Sequence, residues 1–358
     1  MQSAKLESGV VYLSGRGFKI LEAIIDEYIK TGEPVGSKLL SERLSFKVSP
    51  ATVRNEMAIL EQEGYLDHPH TSAGRIPTVK GYRLYIEKMV PESEPELSEE
   101  DKQNIDSALS NIEGDSDETL IESASHVLAE LTKCAVISTS NVSKFSVITK
   151  VEVIPTGKRV YLLLLVTSGG GIKNRVCRLS FDLDREQLDF FTRFANENLS
   201  GVNPENLSAE YVEQLGTALG SYMVSLSPLL KAVAALSGEV AEKSFRFEGQ
   251  ANLIAFKDLQ KQEILSILEN RNAFTELLDT AFSGINVIFG EENKDGSSTF
   301  TVSNSGLIAG NFRKYEQVAG SFGVIGPMRL DYKKLIPYIE YFADKVTRRL
   351  SQKEEEPE

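Results

Sequence analysis

The sequence predicts an α+β chain divided among several domains, and three observations predict it. Its 358 residues exceed what a single core usually organises, since domains run to roughly 100–200 residues. Three short helices with apolar periodicity open the chain, and a hairpin signal follows them. Further on, strand-like segments flank a long stretch of helical periodicity, the pattern of a helical insertion within an α+β domain.

Taken in order, Phe18, Leu21, Ile24, Ile25, Tyr28 and Ile29 recur at helical spacing, and Gly32 with Pro34 ends that helix. Ser37 caps a short second helix carrying Leu39, Leu40 and Leu44. The turn Ser45-Phe46-Lys47-Val48 leads to Ser49-Pro50, an N-cap followed by proline at the first helical position. The third helix then runs to Glu63 with Gly64 as its stop, a length of about 21 Å. Val53, Met57 and Leu60 form its buried stripe, while Ala51, Asn55, Ala58 and Gln62 face the opposite way. Tyr65-Leu66 reads as a strand, Pro69 to Gly74 as a polar loop tip and Arg75-Ile76-Pro77 as the return. Three helices and such a hairpin over residues 1–90 describe a winged helix-turn-helix.

The third helix suits a DNA major groove because its outward face is small or amide-bearing. Asn55 can bond adenine through two hydrogen bonds, Arg54 can do the same with guanine, and Ala51 and Thr52 can meet thymine methyls or base edges. Lys47, Arg75, Lys80 and Arg83 supply cations for the phosphates, joined by Ser49 at the helix start and by His70, Thr71 and Ser72 at the hairpin tip. Protein-interaction modules share this outline and form the bland alternative. His68 and His70 lack a third ligand nearby in sequence, so no metal is assigned to them.

The body follows a linker, placed at 91–100 because Pro91-Glu92-Ser93-Glu94-Pro95-Glu96 has two prolines, alternating acids and no apolar period. A short amphipathic helix precedes Gly114-Asp115-Ser116-Asp117, and a longer one from about Thr119 to Lys133 leads into Ala135-Val136-Ile137. Phe145–Ile154, Arg159–Thr167 and Asn174–Phe181 read as antiparallel strands separated by Pro155-Thr156-Gly157 and Ser168-Gly169-Gly170-Gly171. Arg185 to Ala241 is mostly helical, with a break at Gly201-Val202-Asn203-Pro204. Strand-like segments return at Phe245–Phe247, Leu253–Phe256, Ile285–Phe289, Thr299–Ser303 and Phe322–Ile325, and Tyr332–Leu350 closes the chain as an amphipathic helix. The expected partition is a body of 101–184 and 276–350, an insertion of 185–275 and a disordered acidic tail of 351–358.

Charge differs along the chain. The total is -13, yet residues 1–90 hold 7 Lys and 5 Arg against 11 acids, a net of +1, so the remainder carries -14. A polyanion would therefore meet this protein through its N-terminal face. Tyr161–Val166 is the longest strongly apolar stretch, far short of the roughly 20 residues that cross a bilayer, and no signal peptide is evident, so the expected location is the cytoplasm. Cys134 and Cys177 lie outside any CxxC or His-rich context, and both are expected as buried thiols. Phosphate loops, nucleophile elbows and HExxH are missing, so neither an enzyme nor a cofactor is expected. Asp182 and Asp184 read as a strand end before a helix, and Ser168–Gly171 as a hairpin turn rather than an anion cradle.

The motifs also carry a resemblance. Glu33-Pro34-Val35-Gly36-Ser37-Lys38, Ser49-Pro50-Ala51-Thr52-Val53-Arg54-Asn55-Glu56-Met57, Leu60-Glu61-Gln62-Glu63-Gly64-Tyr65-Leu66, Pro69-His70-Thr71-Ser72-Ala73-Gly74-Arg75-Ile76-Pro77-Thr78 and Gly81-Tyr82-Arg83 together resemble the HrcA family of heat-inducible transcription repressors. Ile288-Phe289-Gly290-Glu291-Glu292 and Gly323-Val324-Ile325-Gly326-Pro327-Met328-Arg329-Leu330-Asp331-Tyr332 look like that family's C-terminal signatures, with departures at Met328 and Leu330. The resemblance implies a winged helix, a GAF-like domain and a dimerisation domain inserted into it. It further implies a homodimer that binds the CIRCE inverted repeat in double-stranded DNA upstream of chaperone and chaperonin operons, with the chaperonin GroEL as positive modulator. A metabolite-responsive winged-helix repressor with an effector pocket in the GAF-like domain is the alternative, resting on fold analogy.

Overall fold

A computed structural model describes residues 13–70, 74–92, 97–113, 116–218, 226–241, 243–269, 271–279, 284–290 and 304–352. These build a mixed α+β protein with two separate larger sheets and a small two-stranded ribbon.

The first helix, α1 (Gly15–Thr31), starts where the Ser14 hydroxyl accepts the Gly17 N–H at 3.0 Å. It ends at Gly32, whose φ of 70° places it in the left-handed region that closes helices. Helix α2 (Ser37–Arg43) is tied to α1 by an ion pair between Arg43 and the buried Glu27. Helix α3 (Pro50–Gln62) turns Val53, Met57 and Leu60 inward, into a core with Ile20, Leu21, Ile24 and Ile25 of α1. Strands β1 (Leu66–Asp67) and β2 (Ile76–Pro77) then pair antiparallel. Helix α4 (Val79–Leu84) continues through a π turn at Tyr85–Met89 into a single turn, α5 (Val90–Glu92). Val90, just before the expected 91–100 linker, and Leu97 within it are both buried, so the chain is anchored to the core at these two points.

Helices α6 (Glu99–Ser110) and α7 (Asp117–Thr132) precede β3 (Ala135–Ser140). The chain next forms β4 (Ile148–Gly157), β5 (Val160–Thr167) and β6 (Ile172–Arg178), then α8 (Arg185–Leu199), α9 (Ala209–Ala218) and α10 (Ser227–Ala241). Strand β7 (Ser244–Glu248) returns beside β3, followed by α11 (Gln250–Ala255), α12 (Lys261–Glu269) and α13 (Arg271–Asp279). Strands β8 (Ile285–Phe289), β9 (Ser305–Lys314) and β10 (Gln317–Pro327) complete the larger sheet, and α14 (Tyr332–Gln352) closes the described chain. That sheet has the order β7-β3-β10-β9-β8 and is antiparallel throughout. Its period-2 alternation feeds two cores: Val136, Ile308, Phe322 and Val324 pack with Ile339, Phe342 and Val346 of α14, while Ala135, Ile137, Leu307 and Ile325 pack with Leu253, Ile267 and Phe274.

Several elements differ from the sequence reading. Strands β4–β6 were expected in the body, but they pair as strands only with one another and share a core with α8–α10, where Val151, Leu163 and Leu165 meet Phe191, Leu229 and Val233. Residues 250–279, expected in the insertion, pack instead on the five-stranded sheet. The hairpin between β4 and β5 turns at Lys158 and Arg159 rather than at Pro155-Thr156-Gly157, with Arg159 at φ 58°. Phe145 belongs to a 3-10 turn, Val142–Phe145. Leu253–Phe256 is helical to Ala255, because four apolar residues fit either period and the preceding Gly249, at φ 65°, starts a helix. Strand β9 has no counterpart in the reading, since Gly306 and Gly310 thin its apolar pattern. The expected strand Thr299–Ser303 and residues 353–358 of the tail lie outside the described residues, and Ser351 and Gln352 belong to α14.

Candidate nucleic-acid interface

Local chemistry fixes α3 at its first turn. The Ser49 hydroxyl accepts the Thr52 N–H at 3.1 Å and lies 2.9 Å from the Thr52 hydroxyl, and Pro50 occupies the position where no N–H is needed. With Val53, Met57 and Leu60 turned inward, Ala51, Arg54 and Asn55 are exposed and Thr52 is half-buried. Lys47, Ser49, His70, Lys80 and Arg83 are exposed as well. Sequence reasoning missed Ile59, which is 49% exposed one turn beyond Asn55.

The ribbon is clasped to α3 through Glu61. One carboxylate oxygen accepts the Arg75 Nε at 2.8 Å and lies 2.7 Å from Nη2, while the other pairs with His68 Nδ1. Arg75 also exchanges two backbone hydrogen bonds with Val35, each 2.9 Å. Gly74 permits that approach, since a Cβ there would stand 2.6 Å from the Val35 backbone. The Lys80 ammonium donates to the Glu63 carbonyl at 2.6 Å and lies 4.3 Å from the Tyr65 ring centroid. Two of the four cations expected at phosphates, Arg75 and Lys80, are therefore held by the fold at the C-terminal end of α3, Arg75 by the Glu61 carboxylate and Lys80 by a carbonyl at the negative end of the helix dipole. Spacing conceals this clasp because Glu61 and Arg75 stand 14 positions apart.

Glu61, Asp67 and His68 bring three ligand-capable atoms within 4.8 Å of one another. The Arg75 guanidinium already supplies the positive charge that this group needs, so the clasp accounts for it without a metal. His70 is not part of the group, and Thr71 and Ser72 lie outside the described residues.

Comparison with known proteins bears on the whole chain. Residues 118–336 match the family described as "HrcA protein C terminal domain". The chain belongs to the HrcA family. A heat-inducible transcription repressor HrcA of Acetivibrio thermocellus is 31% identical over 343 residues, covering 94% of this chain and 96% of that protein. Its counterpart in Ruminiclostridium cellulolyticum is 32% identical over 346 residues, covering 94% and 97%. A crystal structure of a hypothetical protein is 25% identical, with a TM-score of 0.67 and coverage of 96% of this chain and all of that one. Members of the HrcA family are thus transcription repressors, and the exposed face of α3 lies within the span shared with them. No described helix is long and apolar enough to cross a membrane.

Proposed function

We propose that this protein is a homodimeric repressor of heat-inducible transcription that reads the CIRCE inverted repeat through α3. The observation that carries this reading is the exposed set Ala51, Arg54 and Asn55 on a helix whose opposite stripe is fully engaged in the core. Residues 1–90 act as a winged helix, with Asn55 and Arg54 reading bases, Ala51, Thr52 and Ile59 offering apolar contact, and Lys47, Ser49, His70 and Arg83 meeting phosphates. Arg75 and Lys80 first position the ribbon and then add charge beside the backbone. Thr71 and Ser72, which lie outside the described residues, are assigned to the phosphates with them.

The five-stranded sheet serves as the GAF-like domain of the family layout. Its insertion is best drawn from β4 to α10, since those elements share one core. That unit supplies the dimer contact: Ile154, Ile172 and Val176 are 36%, 63% and 64% exposed on the face where Val160, Leu162, Leu164 and Val166 of β5 are only half-buried. An apolar sheet face of this kind favours a second copy over water. The family's chaperonin, GroEL, then acts as the positive modulator. Relatives named as repressors rather than enzymes agree with a non-enzymatic role.

Titrating the purified protein into a labelled inverted-repeat duplex and a scrambled one tests the reading. Two chains bound per inverted repeat, with added chaperonin raising the active fraction, is the expected result. Equal binding to both duplexes would return the N-terminal unit to a protein-interaction role.

A further inference from the structure

The N-terminal unit is joined to the body by more than a linker. Tyr82 packs against Phe289 and Tyr332 with ring centroids 5.9 and 5.8 Å apart, so one continuous core crosses the seam. Around that core, the turn between β10 and α14 and the first turn of α14 grip α1. Arg329, between β10 and α14, donates Nη1 to the Ile29 carbonyl at 3.1 Å. Its Nε and Nη2 meet the two carboxylate oxygens of Asp258 at 2.7 and 2.6 Å, a paired fork that fixes the guanidinium plane. The Ile29 carbonyl lies in the last turn of α1, where helix carbonyls lack internal partners and favour a cation. Gly32 leaves room for the fork, since a Cβ there would stand 3.2 to 3.5 Å from its atoms. Lys333 adds hydrogen bonds of 3.0 Å to both Glu22 and Asp26, and Asp26 also accepts the Tyr85 hydroxyl at 2.5 Å. Glu22, Asp26 and Ile29 form one stripe of α1 at helical spacing, while α3 packs against the same helix.

We propose that Arg329, held by Asp258, is a positioning residue that fixes the angle of α3 relative to the body and so sets the spacing of half-sites the dimer accepts. The proposal rests on the operator-reading function above. Arg329 touches α1 and not the recognition helix, so it acts through α1 as a rigid bracket. Each copy of the body then carries its α3 at one fixed angle, and the pair fits one separation along the DNA. Changing the spacer by one base pair rotates a half-site by about 35° around the duplex, which a rigid bracket cannot follow.

The test uses the full-length protein, duplexes with one half-site, and inverted repeats whose spacers differ by single base pairs. Wild type should lose about tenfold in affinity for each base pair added or removed, the mark of a fixed half-site separation. Arg329→Ala and Asp258→Asn should reduce that penalty to within about threefold while leaving single half-site binding unchanged, because the bracket and not the reading face has been altered. Arg329→Lys should behave like Arg329→Ala, since an ammonium cannot reproduce the fork. Variants that keep the wild-type penalty, or that lose single half-site affinity in step with it, would overturn the proposal.

A second measurement is independent of DNA. Spin labels at Lys38→Cys and Arg348→Cys, in a Cys177→Ser background, report the distance between the unit and the body. A narrow distribution in wild type that broadens in Arg329→Ala is expected, and equal breadth in both would overturn the bracket. If wild type shows no preference for the inverted repeat, the operator-reading function fails, and these distances alone decide whether Arg329 holds the two parts.

Discussion

Asn55 bears most directly on base reading. It is exposed on α3 and, among the described residues, commits its amide to no intramolecular hydrogen bond. Asn55→Ala should weaken binding to the inverted repeat by about 1–3 kcal/mol and leave a scrambled duplex nearly unaffected. Equal losses on both duplexes, measured by titration, would remove the base-reading role. Its exposure was legible from periodicity alone, whereas the Glu61–Arg75 clasp was not, because nothing local marks a partner across a loop. Cys134 also matched its expected burial, while Cys177 is only half-buried. Burial raises the Cys134 thiol from 9.0 to about 12, opposed by a hydrogen bond with Thr132. A group whose folded value is raised stabilises the fold fully below its unfolded value. Stability should therefore fall as pH climbs from 9 towards 12, at a limiting slope of about 1.4 kcal/mol per pH unit from this thiol. Urea unfolding of wild type and Cys134→Ala across that range checks this, and parallel curves would contradict it.

Elements with strong caps and long periods were read well. Ser49-Pro50 and Gly64 bracket α3 to within a residue of its observed span, and Tyr332–Leu350 falls within α14. Elements dominated by glycine or by short apolar runs were not. Strand β10, of which only Phe322–Ile325 was read, illustrates the reason, for its glycines answer to neighbours rather than to local propensity. A Cβ on Gly320 would stand 2.2 Å from the Thr139 carbonyl and 2.3 Å from the Phe312 ring, where the register with β9 also shifts. Gly320→Ala should accordingly destabilise the protein by about 1–3 kcal/mol or more, read as a lowered melting temperature. An unchanged temperature would mean that β3 and β10 can separate at no cost. At the C-terminal end of α3, Lys80→Ala should cost stability as well as DNA affinity, since its ammonium caps the Glu63 carbonyl. Loss of affinity with an unchanged melting temperature would assign Lys80 to phosphate contact alone.

At the scale of the whole molecule, the sequence reading captured a mixed α+β chain, whereas the sheets and cores it could not see group β4–β6 with α8–α10 and residues 250–279 with the five-stranded sheet. Sheet membership is a matter of long-range pairing: β3 finds β7 and β10, more than 100 and 180 positions downstream, and no local pattern reports that. The rigid seam was equally hidden, because Arg329 and Ile29 meet across 300 positions. Charge, by contrast, was legible directly. An acidic body of -14 behind a unit of +1 presents DNA with one acceptable face. Affinity should then depend steeply on salt even though the protein as a whole is acidic. The most direct measurement is a salt series of affinities for the inverted repeat and its scrambled counterpart. A dimer that neutralises about six to ten phosphates should give a slope of log K against log salt of about -5 to -9, with the inverted repeat bound more tightly at every salt. A slope near zero, or two superimposed lines, would contradict a repressor that reads sequence through α3.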